Sequence, residues 1–232
     1  KALATMQRGV VSVVGDLYAR HQLDGVVALG GGCGTALATA AMRALPFGVP
    51  KLMVSTMAGG DVSAYVGTRD IAMLNSVTDI MGLNPLLRRV LANAAGAICG
   101  MVEAADSKEQ EDDGPPRPAI AVTVFGATTP AALRCRTLLA DQGYEPLLFH
   151  ASGSGGRAME ELIDQGEVDA VLDLTTTELA DELCGGKLTA GPHRLEAAAR
   201  RGIPQVVLPG ALDMVNFVPP ETVPPRYAGR LF

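Results

Sequence analysis

Tryptophan is absent from the 232 residues, and aromatic side chains make up only 4% of them. The core must therefore be aliphatic. With 27 glycines and many alanines and valines, the composition favours short buried strands alternating with small-residue helices. Basic residues are scarce, 19 Lys and Arg against 25 Asp and Glu, for a net charge of -6. No basic block is present to neutralise a phosphate backbone, so no nucleic-acid partner is expected. The four cysteines, Cys33, Cys99, Cys135 and Cys184, form no C-x-x-C pair. Neither a zinc site nor a dithiol redox motif is indicated, and a reduced, cytoplasmic protein is the simplest expectation. The longest charge-free stretch, Gly25 to Met42, gathers its glycines in the middle and reads as strand, turn and helix, not as a membrane span. No basic segment followed by an apolar one opens the chain, so no signal peptide is expected.

What is present is an alternation. Met6, Val10, Val13, Val14, Leu17 and Tyr18 recur at helical spacing, and strands follow at Gly25–Leu29, Lys51–Thr56 and Ile71–Asn75. A helix is expected from about Thr35 to Leu45. Asn84-Pro85 supplies an N-cap and first-turn proline for another, reaching about Glu103. Residues 104–118 turn acidic and proline-rich and read as a linker. Strands then recur at Ala119–Phe125, Pro146–Phe149, Ala170–Leu174 and Gln205–Leu208. Helices are expected from Pro130, Arg157 and Glu178 and over Arg194–Arg201, ahead of a proline-rich tail. The expected fold is α/β, with two Rossmann-like subdomains over 1–103 and 119–232 and mainly parallel sheets.

Ligands of parallel sheets bind at the carboxyl ends of the strands, where loops meet helix N-termini. Here those ends are glycine-rich or hydroxylated throughout: Gly30 to Thr35, Ser55 to Asp61, Ser76 with Thr78 and Asp79, Gly126 to Thr129, Ser152 to Arg157, Thr175 to Thr177, and Gly210 to Asp213. Any one glycine turn is explained by steric need alone. Seven on one edge point to a phosphorylated ligand, because small residues admit an anion to the backbone and hydroxyls add donors. "GGGCGT" places Thr35 where a dinucleotide fingerprint has its third glycine, and no acid ends the next strand, so NAD is disfavoured. The P-loop motif is absent as well.

Individual residues admit two readings. Thr175 and Glu178 fit a capping box, leaving Thr176 and Thr177 for ligand. Arg157, a cation at a helix start, is either solvent-exposed or paired with an anion. Glu160 and Glu161 serve only the helix dipole. His150 and Asp213 end strands and are either structural or placed for proton transfer and ligand contact. No catalytic residue is assigned.

The segments "GGGCGT", "PKLMVSTMAGGDVSAYVGTRDI", "FGATTP", "FHASGSGGRAMEEL", "LDLTTTELADELCGG" and "GALDMVNF", in this order, closely resemble the ATP-binding family named after the tomato mosaic virus resistance protein. The resemblance runs from about Asp24 to Pro219. It implies ATP in a cleft between the two subdomains, commonly with Mg²⁺, and homodimer formation. It also implies a strand-bearing segment ahead of Lys1 and a continuation beyond Phe232. Matched by position, Gly31, Gly32, Gly34 and Thr35 belong to the nucleotide loops, as do Gly155, Gly156, Arg157, Thr176 and Thr177. Thr56, Gly59, Ser154 and Asp213 complete the expected set from the strand-end loops. The expected function is a nucleotide module that engages a partner protein. The alternative is a two-domain transferase, epimerase or hydrolase acting on a phosphorylated or nucleotide-sugar substrate.

Overall fold

The computed structural model describes residues 2–108, 116–217, 219–227 and 229. It divides into two compact units, Lys1–Asp113 and Gly114–Phe232.

The first unit runs α1 (Ala2–Ala19), β1 (Val26–Gly30), α2 (Gly32–Ala44), β2 (Lys51–Ser55), α3 (Ser63–Val66), β3 (Ala72–Asn75) and α4 (Pro85–Lys108). Its three strands form a parallel sheet in the order β1-β2-β3. Every residue of β2 is buried, as a central parallel strand covered on both faces requires. Met53 faces Met42, Ile71, Val26, Ala28 and Ala38 on the α2 side. Leu52 and Val54 face Ala94, Leu74, Val90, Leu91 and Ile98 on the α4 side. Asn84 caps α4 as expected, its Oδ1 accepting the Leu87 amide at 2.8 Å.

The second unit runs β4 (Ala119–Val124), a 3-10 turn at Gly126–Thr128, α5 (Thr129–Asp141), β5 (Glu145–His150), α6 (Ser154–Gln165), β6 (Ala170–Thr175), α7 (Thr177–Cys184), α8 (Ala197–Arg201) and β7 (Gln205–Gly210). Its parallel sheet has the order β5-β4-β6-β7. The central β4 is bounded on either side by strands reached through helical crossovers. Ala121 and Val171 of the sheet pack with Met159 and Ile163 of α6 and with Ala197 and Ala198 of α8.

The α/β class and parallel sheets match the expectation, and the boundaries carry the differences. Both glycine-rich helices start three residues earlier than apolar periodicity suggested, α2 at Gly32 and α6 at Ser154. Their glycines therefore lie in the first helical turn instead of the loop. α4 continues to Lys108, so 104–108, expected as linker, are helical; Ala104, Ala105 and Lys108 of this stretch are good helix formers. Residues 109–115 of that expected linker lie outside the described residues. The helix expected over Arg194–Arg201 begins only at Ala197, because Arg194 is drawn into the interior. Among the described residues, no helix is long and apolar enough to cross a membrane.

One buried cation anchors the entry to β2. Lys51 is fully buried, and its Nζ donates to the carbonyls of Pro46 (2.7 Å) and Val49 (2.9 Å) and to Asp70 Oδ1 (2.8 Å). Asp70 also accepts the Gly48 amide at 2.8 Å. Partial burial works against its charge, but the Lys51 ammonium and the Gly48 amide outweigh that and hold its carboxyl below the ordinary value. Asp70→Asn is expected to lower stability by about 1.5–3 kcal/mol at neutral pH, the range for a hydrogen bond to a charged group. Because the folded pKa is depressed, this contribution is complete above about pH 4 and fades as pH falls through the lowered value. Urea unfolding of both proteins across that range checks it.

Candidate functional site

In the first unit the carboxyl edge is shaped by a hydroxyl clasp. Thr35, in the first turn of α2, is buried, and its Oγ1 lies 2.6 Å from Ser55 Oγ and 3.5 Å from the Gly30 carbonyl. The Thr56 amide donates to the same carbonyl at 3.2 Å. Thr35 thus ties the start of α2 to the ends of β1 and β2, a structural use of the residue expected to touch ligand. Gly30 has to be glycine, since a Cβ there would stand 2.8 Å from Gly34 Cα.

The helix start itself is uncapped. The N-cap residue of α2 is Gly31, which has no side chain to bond the first-turn amides. The amides of Gly32, Cys33 and Gly34 belong to the group that a helix cannot satisfy internally, and they carry the positive end of the dipole. Gly32 and Cys33 are exposed. Polar side chains flank this terminus: a Cβ on Gly31 would meet Thr56 Oγ1 at 3.5 Å, and one on Gly32 would meet the Tyr65 hydroxyl at 3.9 Å. Arg43 donates to the Tyr65 carbonyl and pins α3 beside α2. Gly59 lies against the Asn75 side-chain amide, 3.0 Å from a built Cβ. Asp61 accepts the Ser63 amide at 2.9 Å, which holds its exposed carboxyl below the ordinary value.

The corresponding helix start in the second unit is already filled. Glu178 of α7 is buried, and its Oε1 accepts the amides of Gly153 (2.7 Å) and Gly156 (3.1 Å) at the N-terminus of α6. A carboxylate of the chain itself occupies the position that a bound anion takes at such a terminus. The capping box expected between Thr175 and Glu178 is not formed for this reason. Thr175 instead bonds Thr128 (2.6 Å) and the Thr123 carbonyl (3.2 Å).

The glycines here serve close approach. A Cβ on Gly156 would stand 2.2 Å from the Glu178 carboxylate, and one on Gly155 would stand 2.0 Å from the His150 carbonyl. The threonines are also committed to the protein. Thr176 Oγ1 donates to the Leu208 carbonyl at 3.0 Å, and Thr177 Oγ1 to the Met214 carbonyl at 2.9 Å. Arg157 is exposed and donates to the Thr189 carbonyl at 2.9 Å, so a backbone oxygen stands where an anion was considered. Ser154 and Asp213 are exposed at the same edge. The His150 ring stacks on Phe125, with centroids 5.5 Å apart.

Behind the α6 terminus lies a charge cluster that the loop motifs did not disclose. Arg194 donates through Nε to Glu178 (2.8 Å), through Nη1 to Glu160 (3.0 Å) and Asp173 (3.1 Å), and through Nη2 to Asp173 again. Burial opposes its charge, yet Asp173 and Glu178 together hold the guanidinium above its ordinary value. Gln205 Nε2 and Thr123 Oγ1 complete the shell of Asp173 at 2.9 and 3.3 Å. Glu160, expected to serve only the helix dipole, accepts the amides of Leu195 (2.8 Å) and Ala197 (2.9 Å) and so caps the start of α8. The available signal was Asp173, an isolated acid within the apolar strand Ala170–Thr175; a buried charge demands a partner.

Arg194→Met leaves Asp173 and Glu178 buried without their cation and is expected to cost about 3–5 kcal/mol. Gly156→Ala, which drives a methyl into the Glu178 carboxylate, is expected to cost about 1–3 kcal/mol. Denaturant unfolding of the two variants tests both values.

The N-terminal and C-terminal domain models of the uncharacterised protein family UPF0261 match residues 1–107 and 117–232. A UPF0261 protein of Clostridium tetani is 51% identical over 229 residues, covering 99% of this chain and 56% of its own length. One from Rhizobium meliloti is 50% identical over 218 residues, covering 93% and 52%. The tomato (Solanum lycopersicum) ToMV resistance protein Tm-1 is 41% identical over 230 residues, covering 99% and 30%. The chain therefore spans about half the length of these bacterial relatives and less than a third of the tomato protein. The kinship expected from the loop motifs holds: the chain belongs to the UPF0261 family and is related to the tomato ToMV resistance protein Tm-1.

Proposed function

We propose that this chain is a nucleotide-binding module that takes ATP at the N-terminus of α2 and presents the bound state to a partner protein or a second copy. The observation that carries this reading is the uncapped first turn of α2. Gly31 offers no side-chain cap, Gly32 and Cys33 are exposed, and the Thr56 and Tyr65 hydroxyls flank the terminus. Outward amides, a positive dipole end and hydroxyl donors suit phosphate oxygens. The contrast with α6 supports it, because there Glu178 already holds two of the amides.

Among the described residues, no cluster of three His, Cys, Asp or Glu offers a metal cage. Mg²⁺ in this reading comes with the phosphates, as it commonly does where the protein supplies few ligands. Its contribution is to neutralise phosphate charge, while α2 orients the oxygens.

Calorimetric titration with ATP·Mg²⁺, alongside ADP, NAD and a UDP-sugar, tests the reading. ATP is expected to bind selectively. Gly32→Val, whose Cβ meets nothing nearer than 3.9 Å, is expected to fold normally and to weaken ATP by at least about tenfold, or 1.4 kcal/mol. Unchanged affinity in the folded variant rejects the α2 site, and no heat with ATP rejects the nucleotide. Heat from the UDP-sugar, with turnover lost on replacing His150 or Asp213, favours an enzyme.

A further inference from the structure

At the carboxyl end of β3 the first unit holds a strained turn. Val77 has φ 63°, a left-handed backbone that a β-branched residue adopts only as an outlier, and its side chain is 66% exposed. Four hydrogen bonds hold the turn. The Val77 amide donates to Asn75 Oδ1 (3.0 Å) and the Thr78 amide to the Ser76 carbonyl (2.7 Å). Ser76 Oγ donates to the Thr78 carbonyl (2.7 Å), and Asn84 Nδ2 to Thr78 Oγ1 (3.2 Å). The segment that follows carries apolar side chains outward, with Met81, Leu83 and Leu86 84%, 60% and 44% exposed. Strain of this kind persists where its surroundings over-determine it, and it clusters at clamps and switch regions.

The bonds do not end at the loop. Ser76 is fully buried, and its amide donates to the Ser55 carbonyl at 3.2 Å. Ser55 is buried as well; its Oγ accepts the Met57 amide at 3.0 Å and lies 2.6 Å from Thr35 Oγ1 in the first turn of α2. At the other end, Asn84 Oδ1 holds the Leu87 amide at the start of α4. Thr35, Ser55, Ser76, Thr78 and Asn84 thus form one route from the first turn of α2 to the first turn of α4, with Val77 between two of its members. Thr35, Ser55 and Ser76 are closed to water, so a bond broken among them leaves a group unsatisfied. Opening of the Val77 turn and loosening of the Thr35 clasp are therefore linked, because Ser55 and Ser76 join them in one packed network.

We infer that the loop of residues 77–86 reports whether the α2 terminus is occupied. The inference rests on the nucleotide reading of that terminus and adds its regulation. An exposed loop with few buried contacts opens locally at small cost. Phosphate held on the Gly32 to Gly34 amides steadies the first turn of α2, which keeps Thr35 on Ser55 and Ser55 on Ser76. Open forms of the Val77 turn are then disfavoured, because the nucleotide binds the closed clasp better than the loosened one. Met81 and Leu83 are fixed on the surface when the site is full and free to move when it is empty.

Calorimetry and amide hydrogen exchange by NMR, on the full polypeptide that carries this chain, test the inference together. At saturating ATP·Mg²⁺ the Val77 and Thr78 amides are expected to exchange at least about fivefold more slowly than in the free protein, the lower end of common coupling between sites. Ser55→Ala cuts the route at the clasp, and Ser76→Ala cuts it at the turn with the Thr35–Ser55 bond intact. Each folded variant, brought to saturation at its own affinity, is expected to lose that slowing. Binding heat with unchanged exchange at both amides overturns the inference and leaves the nucleotide reading standing. Slowing that survives in either folded variant overturns the route. Absence of heat with ATP rejects the nucleotide reading and the inference with it.

Discussion

Arg194 brings a positive charge into the interior of the second unit and meets carboxylates from three elements: Glu160 of α6, Asp173 of β6 and Glu178 of α7. Taking such ions out of water costs several kcal/mol each, so the cluster is tolerable only with its hydrogen bonds made. They are made. No buried side-chain nitrogen or oxygen among the described residues lacks a partner. The geometry of the glycine loop follows from this constraint, because Glu178 reaches the α6 amides while Arg194 holds its other oxygen. α8 starts late for the same reason, its first amides being taken by Glu160.

The two units show that similar loop compositions can serve different physics. At α6, glycine is required because the Glu178 carboxylate and the His150 carbonyl approach within distances that no Cβ permits. At α2, only Gly30 is under such pressure. Gly31 and Gly32 leave the helix start open, and the nearby threonine and tyrosine hydroxyls make it polar. The first amides of a helix take a cap, water or an anion; at α6 the chain supplies its own carboxylate, and at α2 the N-cap glycine supplies no side chain.

Much of the fold was legible from periodicity. The buried run of β2 and the Asn84-Pro85 start of α4 were read within a residue or two of their places. Helix starts at glycines were read late because Gly32 and Ser154 to Gly156 contribute no apolar side chains to a periodic pattern. The candidate site was less legible. Thr35, Thr176 and Thr177 look like ligand hydroxyls in sequence, but each bonds a neighbouring strand end or turn. Glu178 looked like the partner of Thr175, three residues before it, but bonds residues 22 and 25 positions away.

The sequence by itself determined the alternation of strands and helices, the parallel class of both sheets and the crowding of small residues at their carboxyl ends. These follow from local side-chain pattern and from the fixed hand of crossovers. Only the tertiary structure decided which helix terminus is filled and which hydroxyls are spent on the protein. Those outcomes depend on pairings between residues far apart in the chain. Arg194 meets Glu160 across 34 positions, and the Thr35–Ser55 bond spans 20. Local periodicity carries no record of such distances.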